Sequence, residues 1–297
     1  MKPTFVTLAH PAVPAEQIGN VPYGIFGHLG SPIAYVLLLA YVGVTPWSAI
    51  WVFLAVSVVF MTFTLLAEKL QPAIALPAAT WREVWDGMFM VFVKGVGIGG
   101  GFVTAGWWAL SHVPLWGPLS NSWWLIAAAT AGTDLAYYTI HRLMSHSRHN
   151  TSILKYYRRK HWAHHAVTEL DFLRGNQSSL VDTAISQFQP SLIVIAWLLG
   201  MDLGATLAAY ALILALQATD HTNITFNIGW LRYIFMDNHA HKLHHCKKGN
   251  LVNFAAAFSI WDRLFGTFYE DWSISANHLH HHGVALPIKA VDSPANG

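Results

Sequence analysis

Long apolar stretches separated by short polar segments dominate the first half of the chain. The first runs from Gly24 to Thr45 and contains no Asp, Glu, Lys or Arg, and the second runs from Trp47 to Ala67, directly after Pro46. A helix of about 20 apolar residues crosses the roughly 30 Å hydrocarbon core of a bilayer, so each run is long enough to span a membrane. Because proline favours the first turn of a helix, the pattern predicts a tight hairpin of two transmembrane helices.

Two further apolar runs predict a second hairpin. They extend from Gly95 to Leu110 and from Trp123 to Ile140, and the latter contains one carboxylate, Asp134. A later block, residues 191–218, is apolar apart from Asp202. This block forms either a hairpin that crosses the bilayer or a shallow one in the interface. Both alternatives have an even number of crossings, so the segments that flank the block emerge on the same side.

Composition and charge narrow the class of protein. The chain is 54% hydrophobic and only 11% charged, compared with about 25% charged residues in an average soluble protein. The net charge of +2 is too small to indicate a nucleic-acid partner. Cys246 is the single cysteine, which excludes an intramolecular disulfide. The first twenty residues lack the apolar core of a signal peptide.

Basic residues are distributed unequally between the loops. The loops near residues 43–48 and 111–122 are uncharged, whereas Lys69 and Arg82 follow the second apolar run. Seven basic residues follow the fourth run: Arg142, Arg148, Lys155, Arg158, Arg159, Lys160 and Arg174. The positive-inside rule therefore predicts that residues 67–94, the segment after residue 141 and both termini are cytoplasmic.

Histidine is unusually frequent, at 18 of 297 residues, and occurs in a repeated pattern. Both HWAHH (161–165) and HKLHH (241–245) read His-x-x-His-His. Positions i, i+3 and i+4 share one face of a helix, so we expect each trio to point the same way. HRLMSH adds His141 and His146, which are about 140° apart on an α-helix and can act together only if the helix ends or kinks between them. His221 follows the apolar block.

These residues make nine candidate metal ligands, namely His141, His146, His161, His164, His165, His221, His241, His244 and His245. A zinc ion takes four ligands, so nine imidazoles suit two transition-metal ions better than one zinc. Imidazole binds iron, copper, zinc and nickel, and the ligand type alone does not choose among them. We interpret His10, His28, His112 and His149 as surface or core residues, and the tail residues His278, His280, His281 and His282 as solvated bystanders. His239 is left out because it lies about 200° from His241 around a helix.

Three further residues are assigned to the catalytic centre, namely Asp134, Tyr138 and Asn223. Asp134, Tyr138 and His141 form one stripe at helical spacing. A carboxylate within a membrane span is costly and indicates a functional site, although a structural hydrogen bond to a neighbouring span is an alternative. We expect Asp134 to hold the second N–H of a histidine ligand, and Asn223, close to His221, to be a weaker candidate for the same task. WDRLFGT (261–267) is expected to be structural, with Asp262 and Arg263 paired.

The motifs resemble, in order, those of the membrane fatty acid hydroxylase/sterol desaturase superfamily over roughly residues 65–268. They are DLAYYTIHRLMSH (134–146), HWAHH, DHTNI (220–224), HKLHH and WDRLFGT. The resemblance implies an all-α integral membrane protein with four transmembrane helices in two hairpins and a cytosolic helical cap. That cap would carry a histidine-ligated pair of Fe²⁺ ions. Three positions depart from the family pattern: the usual Asn-Tyr-Gly after the last cluster is NFA (253–255), with Phe254 and Ala255 in the tyrosine and glycine positions, and Cys246 stands where serine is common.

The resemblance also implies a division of the chain and an activity. We expect an N-terminal segment (1–23), a transmembrane region (24–140), a cap (141–268) with a membrane-associated hairpin near 191–218, and a tail (269–297). The implied activity is O2-dependent hydroxylation or desaturation of a fatty acyl, sterol or related lipid. Ether-lipid cleavage by the same chemistry and zinc-dependent hydrolysis are the alternatives. Electrons would come from a separate ferredoxin- or cytochrome-type protein with its reductase, docked on the basic stretch 155–160, which could equally bind anionic lipid.

Overall fold

Helices form almost all of the regular structure. The computed structural model describes residues 21–114, 119–147, 149–167, 169–175, 188–246, 251–272 and 276. Within these ranges there is no β-strand, and one isolated bridge joins Ser120 to Met201. The all-α class expected from the sequence is therefore confirmed for the described residues. Arg148, His10 and the histidines of the tail lie outside them.

The first hairpin consists of α1 (Val21–Val42) and α2 (Pro46–Leu70). Gly43 turns the chain with a positive φ of 88°, a conformation that glycine adopts without steric cost. Thr45 then caps α2, because its hydroxyl accepts from the Ser48 N–H at 3.0 Å and the Ser48 hydroxyl accepts from the Thr45 N–H at 2.8 Å. Pro46 occupies the first helical position, as the sequence predicted.

The third apolar helix begins earlier than predicted. α3 (Trp81–Met88), a π-helical segment (Phe89–Gly99) and α4 (Gly100–Ser111) follow one another without a break. The predicted start at Gly95 was wrong because a capping box begins the helix at Thr80. There the Glu83 carboxylate accepts from the Thr80 N–H at 2.7 Å and the Thr80 hydroxyl accepts from the Glu83 N–H at 3.3 Å.

Three helices of the described chain are long and apolar enough to cross a membrane: α1, α2 and the continuous helix Trp81–Ser111. The fourth predicted span coincides with α5 (Trp123–Ile140), but α5 is not among these three. Its Asp134 and several threonines make it less apolar. A fourth crossing therefore stays a prediction.

The apolar block after residue 187 forms a second pair of helices within the bundle, α7 (Phe188–Leu198) and α8 (Leu203–Leu216). Its tip pairs with the α4–α5 connection, since Ser120 donates to the Gly200 carbonyl at 2.8 Å and accepts from the Asp202 N–H at 2.9 Å. A Cβ at Gly204 would lie 3.1 Å from Thr45. The α7–α8 hairpin therefore extends along the bundle to the end that holds the α1–α2 turn.

α8 is the central helix of the bundle and packs against α1, α2, α4 and α5. Eleven of its 14 residues are buried. Small side chains let the neighbouring backbones approach closely, as in other helix pairs that pack in membranes. The small residues on α8 are Gly204, Ala205, Ala208, Ala209, Ala211 and Ala215.

The cap, taken as residues 141–268 outside α7 and α8, covers the opposite end. It contains a π-helical turn (His141–Ser145), α6 (Ser152–His165), a 3-10 turn (Gly229–Tyr233), α9 (Asn238–His245) and α10 (Ser259–Leu264). The bundle holds it through the Glu68 carboxylate of α2, which accepts from the backbone N–H of Phe172 at 2.9 Å and of Asn223 at 2.7 Å.

Arg174 provides a second connection between the bundle and the cap. Its guanidinium is buried and forms ion pairs with Glu83 at 3.2 Å, Glu169 at 2.8 Å and Asp171 at 3.2 Å. Arg174 therefore does not belong to an exposed basic surface, although it stands in the basic stretch of the sequence. Buried charges are retained when partners such as these three carboxylates neutralise them.

Candidate metal centre

Nine histidine side chains converge where the cap meets the bundle. Five of them form one group and four another, and within each group the ligand atoms lie within 4.8 Å of one another. The five-histidine group contains His141, His146, His161, His165 and His244, and the four-histidine group contains His164, His221, His241 and His245. These are the nine candidates from the sequence. The groups adjoin, since the rings of His165 and His245 stack at 4.4 Å.

Each His-x-x-His-His repeat contributes to both groups. His161 and His165 of α6 join the five-histidine group, whereas His164 joins the other; on α9, His241 and His245 join the four-histidine group, whereas His244 joins the first. At 100° per residue, positions i and i+4 are about 40° apart, whereas i+3 lies about 60° to the other side of i. Each trio therefore covers a face wide enough to reach two sites.

A π-helical turn aligns the two earlier histidines. The His146 N–H donates to the His141 carbonyl at 3.0 Å, a bond across five residues, and α5 ends in this turn. The wider turn brings the two Nε2 atoms to 3.0 Å from each other. The departure from α-helical geometry that the sequence required between these residues is thus present, and π-helical turns are frequent at functional sites.

Backbone carbonyls determine which nitrogen of two ligands faces the site. His141 donates from Nδ1 to the Phe254 carbonyl at 2.6 Å, and His244 donates from Nδ1 to the Val252 carbonyl at 2.7 Å. A carbonyl only accepts, so each Nδ1 carries the proton and each Nε2 presents its lone pair to the other histidines. Such an arrangement is typical of histidines that bind metal.

The geometry and the burial of the rings fit bound cations. The Nε2 atoms of His141 and His161 are 2.9 Å apart, and those of His221 and His241 are 3.0 Å apart. Burial, with neighbouring imidazoles adding to it, lowers the pKa of most of these rings well below its usual range, as for His141, His146, His165, His241 and His245. Neutral rings whose lone pairs converge at these distances are suited to transition-metal ions.

Two buried carboxylates hold the segment that carries the Phe254 carbonyl. Asp134 accepts from the N–H groups of Ala257 and Phe258, both at 2.9 Å. Asp262 accepts from the N–H groups of Phe254 and Ala255, both at 2.8 Å. The hydrogen bonds of Asp134 thus go to the backbone of this cap segment, rather than to a histidine ring, as we expected, or to a neighbouring span, which was the alternative.

Asp262 was missed as a supporting residue. The sequence suggested that it pairs with Arg263, but Asp262 binds the backbone at 254–255 and the Thr267 hydroxyl at 2.7 Å. Arg263 lies over the Phe268 ring at 3.6 Å instead. The available signal was a single carboxylate next to Arg263 in a short motif, and it gives no indication of the backbone partners at 254–255.

Tyr138 and Asn223 brace the surroundings of the site. The Tyr138 hydroxyl accepts from Arg142 at 2.7 Å and pairs with the Thr267 hydroxyl at 3.0 Å. The Asn223 side chain donates to the Ile74 carbonyl at 2.8 Å and accepts from the Ile74 N–H at 3.2 Å. These bonds connect the segments next to the histidines, and a catalytic role for either residue stays a prediction.

Four histidines of the described chain lie outside both groups. His149 is exposed, and its backbone N–H donates to the Ser147 hydroxyl at 3.2 Å. His28 of α1 is buried and bonds the Thr219 hydroxyl at 2.6 Å and the Met236 carbonyl at 2.7 Å. His239 donates to the Asp271 carbonyl at 2.9 Å and stacks on Trp272. His112 is exposed and bonds the Trp108 carbonyl at 2.8 Å. Each therefore has a local structural partner.

A cavity of about 170 Å³ adjoins the four-histidine group. His164, His221 and His241 line one end of it, together with His161. Its walls come from α1, α2, the π-helical segment, α5, α7 and α8. Most of the wall residues are apolar, including Phe53, Phe60, Met61, Met90, Phe188 and Leu214. The site therefore opens toward a space between the apolar helices.

Comparisons with known proteins agree with this arrangement. The family described as fatty acid hydroxylase matches residues 126–267, which include all nine histidines. The chain is 28% identical over 151 residues to alkylglycerol monooxygenase of Danio rerio, covering 50% of this chain and 30% of that protein. The corresponding values for alkylglycerol monooxygenase of Homo sapiens are 27% over 180 residues, 58% and 36%.

This chain thus spans about a third of the length of these curated relatives, 30% and 36%. No solved structure matches it. The family match extends from α5 to the end of the WDRLFGT motif and covers both carboxylates that support the site as well as its histidines. Residues 126–267 are thus similar to the fatty acid hydroxylase family, and together with the similarity to alkylglycerol monooxygenases this match supports the superfamily of membrane fatty acid hydroxylases and sterol desaturases.

Proposed function

We propose that the protein is an O2-dependent di-iron oxygenase that hydroxylates or desaturates a C–H bond of a membrane lipid. The observation that carries this proposal is the pair of buried histidine groups beside an apolar cavity. The fatty acid hydroxylase match favours iron over the other metals that imidazole binds. The apolar walls favour a hydrocarbon chain as the substrate.

The protein's own residues would hold, orient and shield the metals. The five-histidine group would bind one ion and the four-histidine group the other. Bound iron would supply the activation of O2, the step that side chains alone cannot perform. The carbonyls of Phe254 and Val252 keep His141 and His244 in the tautomer that binds metal. Asp134 and Asp262 keep the 254–258 segment in place.

The setting of this activity is part of the proposal. Residues 24–140 would form the transmembrane region, and α5 would be its fourth crossing. The cap and both termini would be cytoplasmic, as the distribution of basic residues suggests. Electrons would come from a separate ferredoxin- or cytochrome-type protein and its reductase.

Ether-lipid cleavage is the second candidate function. It is favoured by one observation, the similarity to proteins named alkylglycerol monooxygenase. Hydroxylation of a carbon next to an ether oxygen and hydroxylation of an acyl chain need the same oxidant and the same apolar cavity. The two candidates therefore differ in the substrate that the cavity accepts.

Metal content and oxygen dependence test the proposal directly. Protein expressed with iron should contain about two iron ions per chain, one for the five-histidine group and one for the four-histidine group. It should convert either fatty acyl lipids or alkylglycerols only when O2 and a reductant are present. Exposed His112 serves as the control, since His112→Ala should leave both readouts unchanged. One zinc per chain with turnover under anaerobic conditions would favour the hydrolase alternative.

A further inference from the structure

The cavity beside the histidines continues into a second one. The second cavity, of about 340 Å³, lies further from the histidines and shares two lining residues with the first, Phe53 and Leu214. Its other walls come from α2, the helix Trp81–Ser111 and α8: Ala49, Ile50, Val96, Gly97, Gly100, Gly101, Thr104, Leu207, Tyr210 and Ala211. The two cavities thus follow one another along the same three helices.

Together the two cavities match the dimensions of a long hydrocarbon chain. On α2 the lining extends from Thr64 in the first cavity to Ala49 in the second. At 1.5 Å per residue these positions are about 22 Å apart along the helix axis. The far cavity is almost wholly apolar, so only a hydrocarbon portion of a ligand can enter it without losing hydrogen bonds to water.

Four glycines of the helix Trp81–Ser111 fall into two kinds. A side chain at Gly99 would overlap the Tyr210 hydroxyl, and one at Gly106 would overlap Ile193, so helix packing explains both glycines. A Cβ at Gly100 or Gly101 would meet no atom of the described residues within 4 Å. Close packing therefore does not account for Gly100 and Gly101, which line the far cavity.

We propose that the far cavity holds the distal end of the substrate's hydrocarbon chain and that Gly100 and Gly101 set the longest chain accepted. This inference rests on the proposed function and specifies its substrate as a lipid with a long, unbranched acyl or alkyl chain. Phe53 and Leu214, which line both cavities, form the passage between them. Side chains at 100 or 101 would fill the far cavity and leave the histidine end open.

Photo-reactive fatty acids with a diazirine on the terminal carbon test this proposal without turnover. Purified protein in nanodiscs is labelled with probes of lauric and stearic length, with excess unlabelled stearic acid as competitor. The stearic probe should label residues of the far cavity such as Ile50 and Leu207, and the competitor should suppress this labelling. The lauric probe should label residues nearer the histidines, such as Phe60 and Met61.

Gly100→Leu and Gly101→Leu should each weaken binding of the stearic probe by about tenfold or more, the factor expected when about two methylene groups can no longer be buried. Binding of the lauric probe should not change. Ala105→Leu is the matched control, because it adds the same side chain at a position of the same helix that lines neither cavity. Equal effects of Ala105→Leu, or far-cavity labelling that the competitor does not suppress, would overturn the proposal.

The two proposals fail separately. Labelling depends only on where the chain binds, so it can be saturable and sensitive to Gly101→Leu in a protein that shows no O2-dependent turnover. That result would contradict the proposed oxygenase activity and support the proposal that the far cavity binds the hydrocarbon chain. If Gly100→Leu and Gly101→Leu both leave the chain-length preference of turnover unchanged, the role of the far cavity is contradicted. The proposed oxygenase activity is then supported.

Discussion

His244 is the residue at which the sequence repeat and the spatial grouping disagree. It stands beside His245 in the chain but joins the five-histidine group with His165. Combining His244→Ala with His165→Ala should therefore remove about one iron per chain, as either change does alone, because both act on one site. Combining His244→Ala with His241→Ala should remove about two. Iron analysis of membrane-inserted protein measures this, and the reverse pattern would contradict the grouping.

Asp134 and Asp262 act as positioning residues. Replacing either by Asn turns an N–H donor toward backbone N–H groups, so Asp134→Asn should lower the free energy of unfolding by about 1–3 kcal/mol. It should also weaken iron binding at the five-histidine group first, since the Phe254 carbonyl orients His141 there. Thermal unfolding and iron-specific spectroscopy measure the two effects.

Asp202→Asn is the matched control for this prediction. Asp202 accepts from the Ala205 N–H at 2.7 Å as the N-cap of α8, and asparagine caps helices about as well as aspartate. A loss of stability without preferential loss of iron at the five-histidine group would show that Asp134 has a structural role only.

At the scale of elements, α6 connects the surface to the two histidine groups. Trp162 is 60% exposed, and its ring stacks on His165 at 5.9 Å. Lys155 and Arg159 are exposed on the same helix. The guanidinium of Arg158 instead donates hydrogen bonds to the Ser147 carbonyl and the Asn150 side chain. We therefore expect an acidic electron carrier to dock on this part of α6, because opposite charges accelerate association.

Charge reversal on α6 tests this docking. The double change Lys155→Glu with Arg159→Glu should slow reduction of the bound iron by the carrier about tenfold or more at low ionic strength, because charge steers such encounters. Reduction by dithionite should not change. Arg82→Glu, at an exposed position on α3, is the matched control. Reduced binding to anionic vesicles with unchanged reduction would assign the surface to lipid headgroups.

At the scale of the whole molecule, the connections at one end of the bundle should face away from the cap. Ser120 bonds to Gly200 at the tip of the α7–α8 hairpin, so both connections must lie on one side. In a Cys246→Ala background, Ser120→Cys and Leu199→Cys should react with an impermeant reagent from outside the cell, and Thr151→Cys only after permeabilisation. Labelling of Ser120→Cys and Thr151→Cys from the same side would contradict the proposed orientation.

Local patterns in the sequence were sufficient for the helices and for the candidate ligands. Pro46 and the uncharged runs predicted the first hairpin, because helix capping and the hydrophobicity of a span depend on neighbouring residues. The spacing within HWAHH and HKLHH predicted a shared helix face for the same reason. The start of the third helix was missed, although the capping residues Thr80 and Glu83 provide a local signal for it.

The sequence by itself thus determined the helical class, the first hairpin and the nine histidines that come together. Only the tertiary structure decided how those histidines divide into two groups, since that division depends on how α6 and α9 face each other. It also decided the backbone partners of Asp134, which are more than a hundred residues away in the chain. The far cavity between α2, the helix Trp81–Ser111 and α8 likewise depends on the tertiary structure. Helical periodicity is set by neighbours along the chain, whereas these contacts arise from the packing of distant segments.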